Sequence, residues 1–483
     1  MTKNSLYLAI DQGGGSTRAI VFDVAGNVVV QSQQAVDVEH PRLGWVEQNA
    51  ELLASSVSYA LDSVAQQLGD RTRNIVTAGL ATQRSNIVCW HQGSGKAISP
   101  AISWQDRRAY QWMEQFRSSN QLIREKTGLL VSAHYGVSKI KWCLENLVEV
   151  GDAVQSGDLA YGPLASYLLY RLLERPRNLV DPANASRTLL WNINTKNWDN
   201  DLLALFGIPL EYLPACVDTQ SHYGDIVVGD HKVPVTIMTG DQSAALYAYG
   251  QPDTDTVYIN MGTGVFIQRP TANQKIDIPG LLCSVVYQDQ KHSDFVVECT
   301  VNGASNALME VEDALGIPGK EAEKHFAQWA QQYKNPPLFL NGVAGLAAPY
   351  WVPDFQSRFI GEGLPEEKVL AVAESILFLI SVNLQLLQEN YKPLKKIVVT
   401  GGLAKNNTLC QKLANLIRMP VYRPVDGEAT AKGTACLLTG MTEHWNTDHD
   451  GQYFNVQQEP ELQQRYQQWG REMQAALQCY STK

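Results

Sequence analysis

The stretch Leu6-Tyr7-Leu8-Ala9-Ile10-Asp11-Gln12-Gly13-Gly14-Gly15-Ser16-Thr17-Arg18 runs as an apolar strand into an acid and three glycines, and Ala19 to Phe22 resumes an apolar strand beyond them. Glycine permits close backbone approach and unusual dihedrals, so the exposed N–H groups of such a turn can surround phosphate oxygens. Asp11 can meet hydrated Mg²⁺ beside those oxygens, since magnesium favours hard oxygen ligands and keeps part of its water. Taken alone, the segment reads equally as an ordinary hairpin.

Two further turns share the pattern. Thr256 to Ile267 places Gly262, Thr263 and Gly264 between two apolar strands, and Ile397 to Thr408 places Gly401 and Gly402 between a strand and a helix. The first can offer N–H groups and the Thr263 hydroxyl to phosphate. The second can admit a planar nucleoside, while Asn406 either contacts it or caps the following helix. Neither the GxxxxGK[ST] phosphate loop nor the GxGxxG dinucleotide turn is complete.

Outward from these turns, short β segments alternate with amphipathic stretches, the mark of an α/β chain. Helices are expected over Glu51 to Leu68, Arg107 to Arg124, Ser138 to Leu147, Pro163 to Leu173, Trp198 to Phe206, Glu367 to Leu387, Asn406 to Ile417, Ala429 to Leu438 and Gln457 to Leu477. Strands are expected at Asn27 to Val30, Ile75 to Leu80 and Ile397 to Val399, with a second strand-rich unit beginning near Pro234. Two domains, 1–245 and 246–483, suit the 483 residues.

A net charge of -10 argues against a nucleic-acid or anionic-membrane partner. The apolar stretch Val369 to Val382 is interrupted by Glu374 and Ser375 and is short for a membrane span. Without a secretory pattern at the start, a cytoplasmic location is the expectation. The eight cysteines have no C-x-x-C spacing and are expected as buried thiols. His134 and the other histidines form no metal motif. Assembly as a homodimer stays open.

The ordered landmarks Asp11 to Arg18, Gly44-Trp45-Val46-Glu47-Gln48, Trp104 to Arg108, Asp181 to Thr188, Gly240 to Ala245, Gly262 to Gly264, Gly345 to Trp351 and Thr400 to Asn407 resemble the FGGY carbohydrate-kinase family, in particular its glycerol-kinase-like branch, over nearly the whole chain. The resemblance implies two ribonuclease-H-like α/β domains of the actin-like ATPase superfamily, with mixed sheets and an interdomain active cleft. It implies transfer of a phosphoryl group from ATP, with Mg²⁺, to a hydroxyl of a small sugar or polyol. ATP would be held by Asp11, Gly13, Gly14, Gly15, Ser16, Thr17, Arg18, Gly262, Thr263, Gly264, Gly303, Gly401, Gly402, Leu403 and Asn406, and the metal by Asp11.

On the acceptor side, Asp241 follows an apolar strand and is either a helix cap or, as the resemblance implies, the base that takes the attacking hydroxyl's proton. Arg84 offers a donor fork to adjacent oxygens, or a salt bridge. Trp104 and Tyr135 either wall the acceptor or fill the core. Gln242 joins this set by resemblance. Asp106, Arg107 and Arg108 read as a charged hinge that supports Trp104; Glu47 and Gln48 read either as solvated turn residues or, as the resemblance implies, as support for the acceptor edge, and Lys405 as a solvated helix residue rather than an ATP contact.

Two departures stand out. Ser85 occupies the place where typical glycerol kinases carry glutamate, which enlarges the space and favours a longer polyol or ketose. Gly14 and Gly15 replace two threonines, removing hydroxyls near the phosphate path. A nucleotide-dependent sugar sensor with little kinase activity, or a nucleotide-binding scaffold, are the competing readings.

Overall fold

Residues 4–425, 427–440, 445 and 450–480 are described by the computed structural model. In the first sheet, Leu6–Gln12, Ser16–Phe22 and Val28–Ala35 form an antiparallel meander. Leu6–Gln12 pairs in parallel with Ile75–Thr82, which pairs in parallel with His231–Gly240, and Gln220–Val228 closes the edge antiparallel. The second sheet repeats this succession. Thr256–Met261, Val265–Ala272 and Ser293–Val301 form the meander, Lys396–Thr400 and Val421–Pro424 follow in parallel, and Gly451–Phe454 closes the edge antiparallel. Leu282–Gln288 adds one strand beyond the meander. The glycine turns of Asp11 and of Gly262 therefore occupy equivalent hairpins.

Helix Ala50–Leu68 forms because Leu53, Val57, Ala60, Leu61, Val64 and Leu68 recur on one face and bury it, while Asn49 caps the start by accepting from the Leu52 N–H. Helix Pro365–Asn390 lies at the centre of the second core. It is longer than its apolar centre suggested, and length alone would let it cross a membrane; 83% of its most apolar window is buried in the protein instead. Glu374 within it meets Arg465 of helix Pro460–Gln478, whose Trp469 is also buried, so this last helix packs as well as faces solvent.

Several expectations need correction. The strand around Pro234 opens no second unit: Val235 to Gly240 pair with Ala78 to Thr82 in the first sheet. The helix expected over Arg107 to Arg124 is broken into Tyr110–Glu114, a turn at Arg117–Ser119 and Asn120–Thr127, because the run Ser118-Ser119-Asn120 favours turns and the Asn120 side chain accepts from Val131 N–H. Trp198 pairs with Trp191, and the helix starts at Asn200 under an Asp199 cap.

Helix Ala429–Leu438, late in the chain, packs on the first sheet: Ala431, Ala435 and Cys436 join Ala9, Ile20 and Phe22 in one apolar cluster. A side chain at Gly433 would meet the Ala244 carbonyl at 1.8 Å and one at Gly79 would meet Thr434 at 2.7 Å, so both crossings require glycine. No cysteine among the described residues is in a disulfide; Cys479 is exposed, Cys216 half-buried and the others buried.

Candidate functional site

Asp11 lies buried near the end of its strand, opposite Arg18 in the hairpin register. The Arg18 guanidinium is 3.6 Å from Asp11 and 3.0 Å from Glu428, which stands before helix Ala429–Leu438. Burial, then the negative charge of Asp241, push the Asp11 carboxyl up to about 7. Behind the turn an amide relay fixes the backbone: Gln12 donates to Gly13 O (2.7 Å), Gln48 to Gly14 O (3.0 Å), and Gln83 to the Gln48 side chain (2.7 Å). A Cβ on Gly15 would meet nothing and one on Gly14 only Gln83 at 3.8 Å, so this face is open to a ligand. Gly13 N–H is tied to Ser16 O at 2.9 Å. Thr17 departs from expectation: its fully buried hydroxyl bonds Ser56 at 2.7 Å, because strand alternation turns it toward helix Ala50–Leu68 and away from the turn's open side.

At the second turn Thr263 is exposed and Gly262 N–H reaches Gly264 O at 2.9 Å. A Cβ on Gly264 would lie 2.8 Å from Val301 O, and one on Gly303 2.5 Å from Asn341 Oδ1. The neighbouring chain thus accounts for these two glycines without a ligand. The third turn divides in the same way. Gly401 has φ +93° and its Cβ would strike Met261 O at 2.6 Å, whereas Gly402 is in the right-handed helical region and open to space. Leu403 packs on the second core. Asn406 is the cap of helix Asn407–Ile417, its Oδ1 accepting from Thr408 and Leu409 N–H.

Asp241 opens the short helix Asp241–Ala245 as its first residue, Gly240 being the cap, and its Oδ1 accepts from Gln242 N–H at 2.7 Å. Burial raises its carboxyl above the usual range against the pull of Arg84. The Arg84 stem lies over Gly240, where a Cβ would come within 2.5 Å of it, so the arginine passes directly beside Asp241. Ser85 has φ 66°, is 2% exposed, and its hydroxyl has no partner among the described residues. Trp104, placed by its N–H to Asn86 Oδ1 (2.8 Å), stands edge-on to Phe266 of the second unit and against His134, which in turn abuts Tyr135. Gln242 is partly buried beside Asp241.

Arg108, expected in a charged hinge, is held by Asp106 (2.8 Å) and Glu47 (2.5 Å) and covers the rings of Trp45 and Trp142. Lys405 is exposed, as expected.

Sequence reasoning passed over three residues of this region. Lys139 is buried, and its ammonium bonds the carbonyls of Ala133, His134 and Tyr135 at 2.8, 2.8 and 3.2 Å, clamping the loop that carries the His134 and Tyr135 rings; burial pushes it down to about 7. Arg187 lies 5.2 Å over the Tyr135 ring. Glu298, from the second sheet, accepts from Arg84 at 2.8 Å and from Arg187 at 2.7 Å. A lone carboxylate in the apolar run Phe295-Val296-Val297-Glu298-Cys299 was the signal available for it.

Among the described residues no three His, Cys, Asp or Glu side chains cluster as a metal site. Asp11 nevertheless supplies a hard oxygen donor at the open turn, with Arg18 the cation beside it, and Asp241 follows the end of a strand that pairs with the same Ile75–Thr82 strand as Asp11. That donor set fits a largely hydrated Mg²⁺.

The model of the N-terminal domain of the FGGY family of carbohydrate kinases matches residues 6–248, and that of the C-terminal domain residues 257–440. A glycerol kinase of Acinetobacter baylyi is 31% identical over 442 residues, 90% of this chain and 89% of its own, and one of Polaromonas sp. is 33% identical over 446 residues, 89% of each. Among solved structures, glycerol kinase of Plasmodium falciparum with ADP superposes with TM-score 0.86 at 22% identity over 98% of both chains. A xylulose kinase of Brucella ovis gives 0.85 at 19% over 99% of both.

Proposed function

The chain belongs to the FGGY family of carbohydrate kinases and phosphorylates a sugar or polyol hydroxyl with ATP, and we propose that Asp241 is the base, acting in a cleft between residues 1–245 and 246–483. The observation that carries this reading is a carboxylate of raised pKa beside Arg84, facing the open glycine turn of Asp11. The two sheets of equal strand succession are read as two ribonuclease-H-like domains.

A hydroxyl is a poor nucleophile. Asp241 orients it and accepts its proton as the bond to phosphorus forms. Free N–H groups of Gly14 and Gly15 receive the phosphates, and the open backbone at Gly402 receives the nucleoside. Asp11 and Asp241 would hold Mg²⁺, which neutralises phosphate charge when bound. Trp104 and Phe266 cover the acceptor's carbons, and Arg84 donates to its hydroxyls. Domain contact excludes water, so that transfer to the acceptor outruns hydrolysis.

The acceptor is a polyol or ketose longer than glycerol, because Ser85 leaves short, unpaired polar space beside Arg84. The test is acceptor-dependent ADP release, with identification of the phosphorylated product, over glycerol, xylulose, gluconate and longer polyols. ATP binding with no phosphorylated product from any of them would favour a sugar sensor. Ser85→Glu is expected to move the kcat/KM ratio of glycerol to the best longer acceptor toward glycerol by roughly tenfold. A ratio unchanged or moved the other way rejects Ser85 as selector.

A further inference from the structure

Glu298 is 3% exposed and both of its oxygens are occupied. Oε1 accepts from Arg84 Nη1 (2.8 Å) and the Gln268 amide (3.2 Å); Oε2 accepts from Arg187 Nη1 (2.7 Å) and the Ser284 hydroxyl (3.1 Å). The two arginines come from the first unit, while the carboxylate, the amide and the hydroxyl come from the second. A buried ion pair contributes little net stability, because desolvation offsets most of the attraction. Its effect here is geometric.

Nη1 is the one Arg84 nitrogen bonded among the described residues, which leaves the remainder of the fork free beside Asp241. Arg187 is also only partly used: its Nε is buried without a partner among the described residues, and its guanidinium covers Tyr135. Buried donors of this kind are costly unless a ligand oxygen completes them. The unpaired Ser85 hydroxyl adds to the same demand.

We propose that Glu298 is the positioning residue of the acceptor site, aligning Arg84 and Arg187 for a hydroxyl-rich neutral acceptor and supplying from the second unit the carboxylate that Ser85 does not supply beside Arg84. This rests on the kinase reading above. Because the pairs span the two units, the acceptor fork is assembled only when the units are in contact. Parting them frees Arg84 from its alignment.

The experiment compares Glu298→Gln and Glu298→Asp with wild type, using as acceptor whichever of glycerol, xylulose or xylitol gives the highest kcat/KM. The amide keeps shape and loses the charge, so the acceptor KM is expected to rise about tenfold or more while the KM for MgATP moves less than about twofold. The aspartate keeps the charge and is expected to recover part of the loss. Combining Glu298→Gln with Arg84→Lys should raise the acceptor KM less than the product of the single effects, since both changes break one linkage. An acceptor KM within about twofold of wild type, or a parallel rise of both KM values, overturns the proposal. Should Glu298→Gln fail to fold, Arg187→Gln is read by the same split: acceptor KM up about tenfold supports the proposal, unchanged KM overturns it. A wild type inactive on every acceptor defeats the kinase reading and this inference with it, whereas an active wild type with an indifferent Glu298→Gln defeats this inference alone.

Discussion

Two acidic clusters of the molecule behave oppositely. Near the glycine turn, Asp11 and Asp241 repel each other, with Arg18 as the cation beside Asp11, and both carboxyls are raised. Between Arg84 and Arg187, burial alone would raise Glu298 as well, but the two guanidiniums outweigh it and hold its carboxyl at about 2. A carboxylate saturated by two guanidiniums cannot take a proton in a reaction; it can only hold things in place. Carboxylates left short of cations are suited to a proton and a metal.

The sharpest way to break this contrast is Asp241→Asn. The amide retains size and loses the proton acceptor, and kcat should fall by about 10²- to 10⁴-fold with folding and nucleotide binding retained. Near-normal turnover on the identified acceptor would remove Asp241 as base.

The contrast also has a sign in acid. Glu298 is depressed from an ordinary 4.5 to about 2, so its contribution to stability is present above 4.5 and is lost as the pH falls through about 2. Asp11 is raised from 3.8 to about 7, and its burial costs stability as the pH rises across that interval. Chemical denaturation of wild type and Glu298→Gln across the Glu298 interval should show a shallower pH dependence in the variant; parallel curves would mean that the ion pairs do not govern acid stability.

The smallest effect concerns the proposed nucleotide turns, where some glycines are crowded by neighbouring protein atoms and others face open space. A Cβ at Gly402 meets no atom within 4 Å, so Gly402→Val should fold normally and weaken nucleotide binding about tenfold in direct titration, leaving acceptor affinity nearly unchanged. Unchanged nucleotide affinity would move the nucleoside away from Gly402.

The strand–turn–strand hairpins were legible because apolar runs, glycines and strand length all agree locally. Ala429 to Leu438 was likewise readable as a helix, yet nothing in its periodicity says that it covers the other unit's sheet. The same limit applies at the site. Arg84 and Asp241 were found from their places after apolar strands, but the Arg84 partner lies 214 positions away, and pairing at that separation leaves no local trace. Thr17 was assigned to the nucleotide by resemblance alone, and resemblance does not say that strand alternation aims its hydroxyl inward to Ser56. Gly264 and Gly303 show the converse: a glycine in a turn motif can be demanded by a neighbouring carbonyl or amide rather than by a ligand.

Helix Ala429–Leu438 has a consequence for how the chain reaches its native state. On a ribosome, the strands carrying Ala9, Ile20 and Phe22 emerge long before the residues that cover this face, Ala431, Ala435, Cys436 and Trp445. The early unit must therefore wait with an apolar face uncovered until those residues are made, which exposes it to association with other nascent chains and to chaperones. A chain ending shortly before Ala429 would keep the Asp11 turn, the Arg84 strand and Asp241, yet it would lack the cover of its own first sheet and should accumulate as aggregate.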